Sequence, residues 1–165
     1  MNRNGWLRLD DAALLRQGRE ERHRASGPGG QRRNKVETAV KLRHGPSGVE
    51  VKANESRSLA ENRRRALRRL RERIAVEVRA PFDLEAPSLP PEFLAQRGSD
   101  GSLRVNAKNA AYPVVVAATL DALAAAAGSY ARAARALGIT TSQLLRFLKS
   151  DAEVWRKVSE LRKGS

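Results

Sequence analysis

Residues 24–40, RASGPGGQRRNKVETAV, place a glycine-rich loop between two segments that are predicted to be strands. Glycine tolerates a positive φ and has no side chain, so Gly27, Gly29 and Gly30 allow the backbone to approach a bound molecule closely. Four cations lie beside them, namely Arg24, Arg32, Arg33 and Lys35. These residues predict a loop that brings its backbone close to a polyanion.

Gln31 follows the paired glycines and is the candidate for chemistry in this loop. An amide does not titrate near neutral pH, so Gln31 cannot act as a general base. It can position a water molecule and stabilise the negative charge that develops on an oxygen, which is electrostatic catalysis. The alternative is a glycine-rich turn with a solvated glutamine, and the tripeptide alone does not separate the two.

The segments around the loop predict a small sheet. Residues 11–20 are predicted to form a short helix and residues 21–25 a strand that enters the loop. Apolar and polar residues alternate over residues 38–43 and again over 49–54, which is the period of a strand. The sequence HGPSG at 44–48 is typical of a turn, so these two strands form a hairpin.

A long basic helix follows the hairpin. Ser58 and Glu61 have the spacing of a capping box at its start. Its apolar stripe consists of Ala66, Leu67, Leu70 and Ile74, and its arginines are Arg63, Arg64, Arg65, Arg68, Arg69, Arg71 and Arg73. The predicted fold class is therefore α+β, with the hairpin sheet packed on this helix in a domain of residues 1–80.

The rest of the chain is predicted to be a linker and a helical module. Residues 81–111 contain Pro81, Pro87, Pro90 and Pro91 and then the sequence GSDGS, which is typical of a linker. Residues 112–165 predict four helices. Pro113 lies at the start of the first helix, which runs to about Ala127; Ser129 and Thr140 or Thr141 are N-caps; and the fourth begins at Asp151.

The second and third of these helices have the spacing of a helix-turn-helix. Ala134, Leu137, Ile139, Leu144 and Phe147 surround Gly138 at intervals that pack two helices across a glycine turn. An unrelated helical bundle is the alternative, and Trp155 is predicted to be a core residue of either. The face with Thr141, Ser142, Gln143, Arg146 and Lys149 could read DNA bases. Docking onto RNA or a ribosomal protein is the preferred interpretation.

Net charge predicts the class of partner. The chain has 32 Lys and Arg against 18 Asp and Glu, a net charge of +14. Residues 1–80 hold 21 cations against 10 acids, and residues 81–165 hold 11 against 8. A surplus of this size favours polyanions, because every phosphate that is neutralised releases counterions. Nucleic acid is preferred to an anionic membrane because no segment combines a strong apolar face with a basic one, and the preference applies mainly to the first half.

Composition also excludes several classes of site and location. The chain has no cysteine and only two histidines, so we expect no metal centre and no cofactor. The N-terminal residues show no apolar core of a signal peptide, and no segment is long and apolar enough to span a bilayer. We therefore expect a cytoplasmic protein, and a monomer because no dimerisation element is evident.

Three blocks together resemble a known family: SGPGGQRRNKVETAV, HGPSGVEVKANESRS and the arginine helix AENRRRALRRLRERI. They are similar to the catalytic domain of class I peptide chain release factors, and most similar to short ribosome-rescue members such as alternative rescue factor B and the mitochondrial rescue factors. The resemblance covers about residues 8–79. It rests on the Gly-Gly-Gln loop, the hairpin, Asn34-Lys35, and Arg57-Ser58 with Asn62 at the start of the helix.

The resemblance implies a role for each matching residue. Gln31 corresponds to the glutamine that enters the peptidyl transferase centre of the large ribosomal subunit and orients water at the peptidyl-tRNA ester. Gly29 and Gly30 correspond to the glycines that allow this conformation. A glutamine methyltransferase that modifies Gln31 is a candidate partner. Candidate contacts to rRNA or tRNA are Arg24, Arg32, Arg33, Asn34, Lys35, Arg57, Arg64 and Arg68. Arg32 and Arg33 depart from the family pattern, in which His-Val commonly follows the glutamine.

The length of the chain separates two functions within this family. Release factors that read stop codons carry further domains, for which 165 residues leave no room. The resemblance therefore implies codon-independent peptidyl-tRNA hydrolysis, as in ribosome rescue, although the Lys/Arg tail of many rescue factors is missing. The alternatives are a non-catalytic module that binds rRNA and, less favoured, a helix-turn-helix regulator.

Overall fold

The computed structural model describes residues 2–23 and 38–163 and has an α+β fold. The chain divides into two compact units, Met1–Ile74 and Ala75–Ser165. The fold class expected from the sequence is confirmed: a three-stranded antiparallel sheet and a long basic helix in the first part of the chain are followed by a helical part.

The first unit begins with two short helices, α1 (Arg3–Arg8) and α2 (Asp11–Arg16), and the strand β1 (Gly18–His23). The helix predicted over 11–20 therefore ends four residues earlier, at Arg16, and the strand predicted over 21–25 begins three residues earlier, at Gly18. At Gly18 a side chain would lie 2.7 Å from the backbone oxygen of Arg43, so the glycine permits close strand pairing where a helix had been expected.

The predicted hairpin is confirmed. Strands β2 (Ala39–His44) and β3 (Glu50–Ala53) pair antiparallel, and β1 pairs with β2 on its other edge. Val40, Leu42 and His44 alternate along β2 and are buried, whereas Arg43 is exposed. The inner face of β2 is therefore apolar apart from one buried histidine.

Helix α3 (Leu59–Glu77) is the long basic helix. Its predicted apolar stripe is buried, with Ala66, Leu67, Leu70 and Ile74 at most 2% exposed. The backbone N–H of Glu61 donates to the Ser58 hydroxyl at 3.3 Å, and the Glu61 carboxylate accepts a hydrogen bond from Ser56. Ser58 thus caps the helix as predicted, whereas the Glu61 side chain bonds to Ser56 and not to the backbone of Ser58 as a capping box would require.

The second unit is helical over most of its length. It contains α4 (Pro91–Leu94), α5 (Tyr112–Ala125), α6 (Tyr130–Leu137), α7 (Thr141–Lys149) and α8 (Ala152–Lys163). Every residue of α5 from Tyr112 to Leu123 is buried, so α5 is the central helix of this unit. It ends two residues before Ala127, because Ala127 and Gly128 both adopt a positive φ.

The predicted caps and core positions of α6 to α8 agree with the structure. The side chains of Ser129, Thr140 and Asp151 accept backbone hydrogen bonds at the starts of the three helices. Gly138 has a φ of 66° and ends α6, as the glycine turn requires. Trp155, expected in the core, is only half-buried.

Residues 81–111, predicted as a linker, belong to the second unit, where Phe93 of α4 is fully buried. Within the described part of the chain, no helix is both long enough and apolar enough to cross a membrane.

Candidate functional site

The candidate catalytic residues lie outside the described part of the chain. These are Gly29, Gly30 and Gln31, and the same holds for the predicted RNA contacts Arg24, Arg32, Arg33, Asn34 and Lys35. The structure does describe the residues on either side of them, the helix that bears Arg64 and Arg68, and Arg57 just before that helix. Three sets of contacts hold the described residues next to the segment with the Gly-Gly-Gln sequence, and each set is called a support of the candidate site.

Strand pairing fixes one support. In the register of β1 and β2, His23 pairs with Ala39, and these two residues flank segment 24–38 along the chain. Glu20 and Arg22 lie opposite Leu42 and Val40 on the inner face of the sheet. The two ends of the segment with the Gly-Gly-Gln sequence are thus held next to each other.

Asn62, on the first turn of α3, fixes a second support and is completely buried. Its Nδ2 donates to the backbone oxygen of Thr38 at 2.6 Å and to that of Ser56 at 2.8 Å. Its Oδ1 accepts from the backbone N–H of Ser56 at 2.9 Å. One side chain therefore joins the residue that follows the undescribed segment to the turn before α3.

A third support is an ion pair between β1 and α3. The Arg63 guanidinium donates to both carboxylate oxygens of Glu20, at 2.7 and 2.8 Å. Arg22 adds a contact of 3.2 Å to the same carboxylate. The hydrogen bonds from Arg63 lower the pKa of Glu20 below its usual range, against the effect of its partial burial. Glu20 therefore stays ionised and holds the strand that leads to residue 24.

The arginines of α3 separate into two groups. Those of the first group bind other parts of the unit: Arg63 contacts Glu20, Arg65 contacts Glu61, Arg69 contacts Glu55 and the backbone oxygen of Lys52, and Arg71 contacts Asp11 and the backbone oxygen of Leu9. Because their charges are largely neutralised by these partners, they stabilise the fold rather than attract a polyanion.

The second group consists of the exposed Arg64 and Arg68. Arg57, which is also exposed and lies two residues before α3, completes the three that the sequence nominated. Arg57 and Arg64 are exposed and, among the described residues, form no hydrogen bond or salt bridge through their side chains. Arg68 is exposed and lies 3.8 Å from Glu72. Arg64 and Arg68 share one face because they are four residues apart on a helix. These cations are available to bind phosphate.

Two residues that support the candidate site, Asn62 and Glu20, were not expected from the sequence. Asn62 was noted only as part of the start of the helix, although a polar residue among buried helical positions is a usable signal. Glu20 gave no such signal, because it lies in the strand GREERH, in which every residue after the glycine is polar.

Comparison with known proteins identifies the family that this part of the chain resembles. Residues 16–87 match the RF-1 domain family. This range begins at the end of α2, includes all three strands, the Gly-Gly-Gln segment and α3, and extends beyond the basic helix. The resemblance inferred from the sequence is therefore confirmed.

Individual relatives support the same match. A protein named mitochondrial translation release factor in rescue, from Danio rerio, is 55% identical over 53 residues, which are 32% of this chain and 34% of the relative. Peptide chain release factor 1 of Chloroherpeton thalassium is 50% identical over 52 residues, which are 32% of this chain and 14% of the relative. The matches thus span about a third or less of these relatives. No solved structure matches the chain.

Proposed function

We propose that this protein is a codon-independent, ribosome-dependent peptidyl-tRNA hydrolase that acts in translation release or ribosome rescue. The observation that carries the proposal is the match of residues 16–87 to the RF-1 domain, because this range includes Gly29, Gly30 and Gln31. The names of the relatives associate this domain with release and with rescue.

In this proposal Gln31 positions a water molecule at the ester that joins the nascent peptide to tRNA. Its amide and backbone donors stabilise the developing oxyanion, and no general base is needed at this residue. Gly29 and Gly30 allow the backbone to approach the ester without a side chain in the way. Asn62 and the Glu20–Arg63 pair hold the described residues on either side of this segment, Thr38 and β1.

Ribosome binding is assigned to two sets of residues, one at α3 and one around the loop. Arg57, Arg64 and Arg68 contact phosphates of rRNA, together with Arg24, Arg32, Arg33, Asn34 and Lys35 around the loop. The exposed positions of Arg64 and Arg68 on one side of α3, and of Arg57 before its start, support this role. A glutamine methyltransferase acting on Gln31 is part of the proposal and is testable by mass spectrometry of the chain purified from its host.

The test is peptide release from ribosomes stalled on a truncated mRNA that lacks a stop codon. We expect release with the wild type and a loss of about 10²- to 10³-fold in rate with Gln31→Ala or Gly30→Ala, the usual effect of removing an oxyanion donor. Gln96→Ala is the matched control, since within the described residues the Gln96 side chain only accepts one hydrogen bond, of 3.3 Å, from the Asn109 side chain. We expect its rate to equal that of the wild type.

Unchanged release in Gln31→Ala would overturn the catalytic assignment. Ribosome binding without any release by the wild type would instead identify a non-catalytic rRNA-binding module. Repeating the assay on separated large subunits that hold peptidyl-tRNA shows which of the two particles is the target.

A further inference from the structure

The cations of the second half of the chain are concentrated in one stretch. Residues 122–150 contain Arg132, Arg135, Arg146 and Lys149 and not one Asp or Glu. The remainder of residues 81–165 holds seven cations against eight acids, so the whole net charge of +3 originates in this stretch, which forms α6 and α7. The small net charge of residues 81–165 therefore hides the fact that α6 and α7 are strongly basic.

All four of these side chains are exposed. Within the described residues none of them forms a salt bridge, and Lys149 lies over the ring of Trp155 at 5.3 Å. Other cations of the unit are paired: Arg79 lies 2.9 Å from Asp121, and Lys157 lies 2.8 Å from Glu77. The basic face of α6–α7, defined as Arg132, Arg135, Arg146 and Lys149, is thus left without counter-charge by the fold.

The helices behind these cations are firmly packed. Ala133, Ala134 and Leu137 of α6 and Leu144, Phe147 and Leu148 of α7 are buried. Three residues connect the helices, beginning with Gly138. The longer helix has nine residues and is about 14 Å long. Arg132 and Arg135 are three residues apart, as are Arg146 and Lys149, so each pair lies on one side of its helix. Thr141 and Ser142 add exposed hydroxyl donors at the start of α7.

The same surface does not fit a protein partner. Stable protein interfaces have a buried centre rich in aromatic and other large apolar side chains. Leu94 is the one exposed large hydrophobic residue found in the described part of the chain, and it lies on α4. Ala131, Thr141 and Ser142 are the other exposed side chains of α6 and of the first turn of α7. Unpaired cations with small polar neighbours are typical of a surface that binds a phosphate backbone.

We propose that the basic face of α6–α7 binds the phosphate backbone of double-helical RNA, as a second RNA contact separate from the RF-1 domain. The choice of RNA over DNA rests on the proposed ribosomal function. Binding to the backbone is independent of sequence, and hydroxyl and guanidinium groups contact phosphate and ribose rather than base edges. The second unit would then add affinity for structured RNA to a chain whose first unit carries the proposed chemistry.

The test measures binding of the full chain to a labelled RNA duplex of about 20 base pairs with arbitrary sequence, at about 50 to 200 mM salt. The variant Arg132→Gln/Arg135→Gln/Arg146→Gln/Lys149→Gln removes the basic face. We expect at least about tenfold weaker binding and a slope of log affinity against log salt that is smaller by about 3, since each lost phosphate contact removes about 0.7 to 0.9.

Two further variants make the result specific. Arg104→Gln/Lys108→Gln removes two exposed cations of the same unit outside α6 and α7, and we expect a smaller loss than with Arg132→Gln/Arg135→Gln. Arg132→Lys/Arg135→Lys keeps the charge and is expected to bind like the wild type. Thermal unfolding of Arg132→Gln/Arg135→Gln at the wild-type temperature excludes a folding defect as the cause. Gln31→Ala is expected to bind the duplex normally, so this test does not depend on hydrolysis.

Equal losses from the Arg104/Lys108 and Arg132/Arg135 pairs would overturn the proposal, because attraction would then be due to net charge alone. Tighter binding of a DNA duplex of the same sequence, lost in the fourfold variant, would also overturn it and would assign α6–α7 to DNA.

Discussion

Asn62 satisfies three backbone groups at once. The oxygens of Thr38 and Ser56 and the N–H of Ser56 all bond to its amide, which is fully buried. A shorter side chain cannot reach them, and a buried amide or carbonyl that loses its partner costs about 1–3 kcal/mol.

We therefore predict that Asn62→Ala lowers the free energy of unfolding by about 2–4 kcal/mol, measured by urea denaturation. We also expect slower peptide release, because Thr38 directly follows the segment with the Gly-Gly-Gln sequence. Asn54→Ala, at an exposed asparagine before α3, is the control and should be nearly neutral. If Asn62→Ala and Asn54→Ala had equal stability, the role given to the Asn62 amide would be wrong.

Sequence patterns identify some of these residues and not others. Ser58 and Glu61 could be assigned from their spacing, because a cap is a local interaction. The pair of Glu20 and Arg63 could not, since 43 residues separate its members and only the folded sheet brings them together. The end of α2 was placed too late for a related reason. Pairing of Gly18 with His44 extends the strand toward the helix, and that pairing is a tertiary effect.

At the scale of elements, α3 shows how one helix divides its charges. Arginine periodicity alone predicted a basic surface on most of its circumference. The structure shows that Arg65 and Arg69 contact Glu61 and Glu55. Among the described residues Arg64 forms no salt bridge, and Arg68 lies 3.8 Å from Glu72. An arginine with an acidic partner contributes less to the attraction of RNA, because its field is partly cancelled.

This division predicts two outcomes for variants that remove equal charge. Arg64→Gln/Arg68→Gln should weaken binding to ribosomes at least about tenfold and leave the melting temperature unchanged. Arg65→Gln/Arg69→Gln should weaken binding less and lower the melting temperature, because it breaks contacts with Glu61, Glu55 and the backbone of Lys52. Pelleting with ribosomes and thermal unfolding measure the two properties, and identical behaviour of the two variants would contradict the division.

Helices α6 and α7 were the best predicted elements of the second unit. Their caps, the glycine turn and the buried positions are all encoded locally, in Ser129, Gly138 and Thr140 and in the apolar spacing around them. Their charge distribution was present in the sequence too, but an average over 81–165 concealed it. Exposure in the folded unit was needed to show that these cations lack partners.

At the scale of the molecule, the chain consists of two compact units, of which the first contains most of the range that matches the RF-1 domain. The fold class and the family of this range could be predicted, because the loop, hairpin and helix are linked motifs along the sequence. The predicted domain limits of residues 1–80, 81–111 and 112–165 stay predictions. So do the catalytic roles of Gly29, Gly30 and Gln31, which lie outside the described residues.

The separation of chemistry from binding leads to a prediction for the whole molecule. The net charge of +14 is distributed over both units, and Gln31 contributes none of it. Loss of its amide should therefore abolish release and leave ribosome affinity and its salt dependence nearly unchanged. Gln31→Ala should then inhibit the wild type by occupying the same stalled ribosomes.

The measurement is peptide release by a fixed amount of wild type with rising amounts of Gln31→Ala. At a tenfold excess, and with ribosomes limiting, we expect release to fall by about tenfold, since two chains of equal affinity share sites in proportion to concentration. A Gln31→Ala chain that also carries Arg64→Gln and Arg68→Gln is the control and should inhibit far less, because it retains the inactive loop but has lost part of the ribosome contact. The contrary result would be a folded Gln31→Ala chain that binds ribosomes but does not inhibit release. The wild type would then hydrolyse peptidyl-tRNA at a ribosomal site other than the one bound through Arg64 and Arg68, and binding and hydrolysis would be separate properties of the protein.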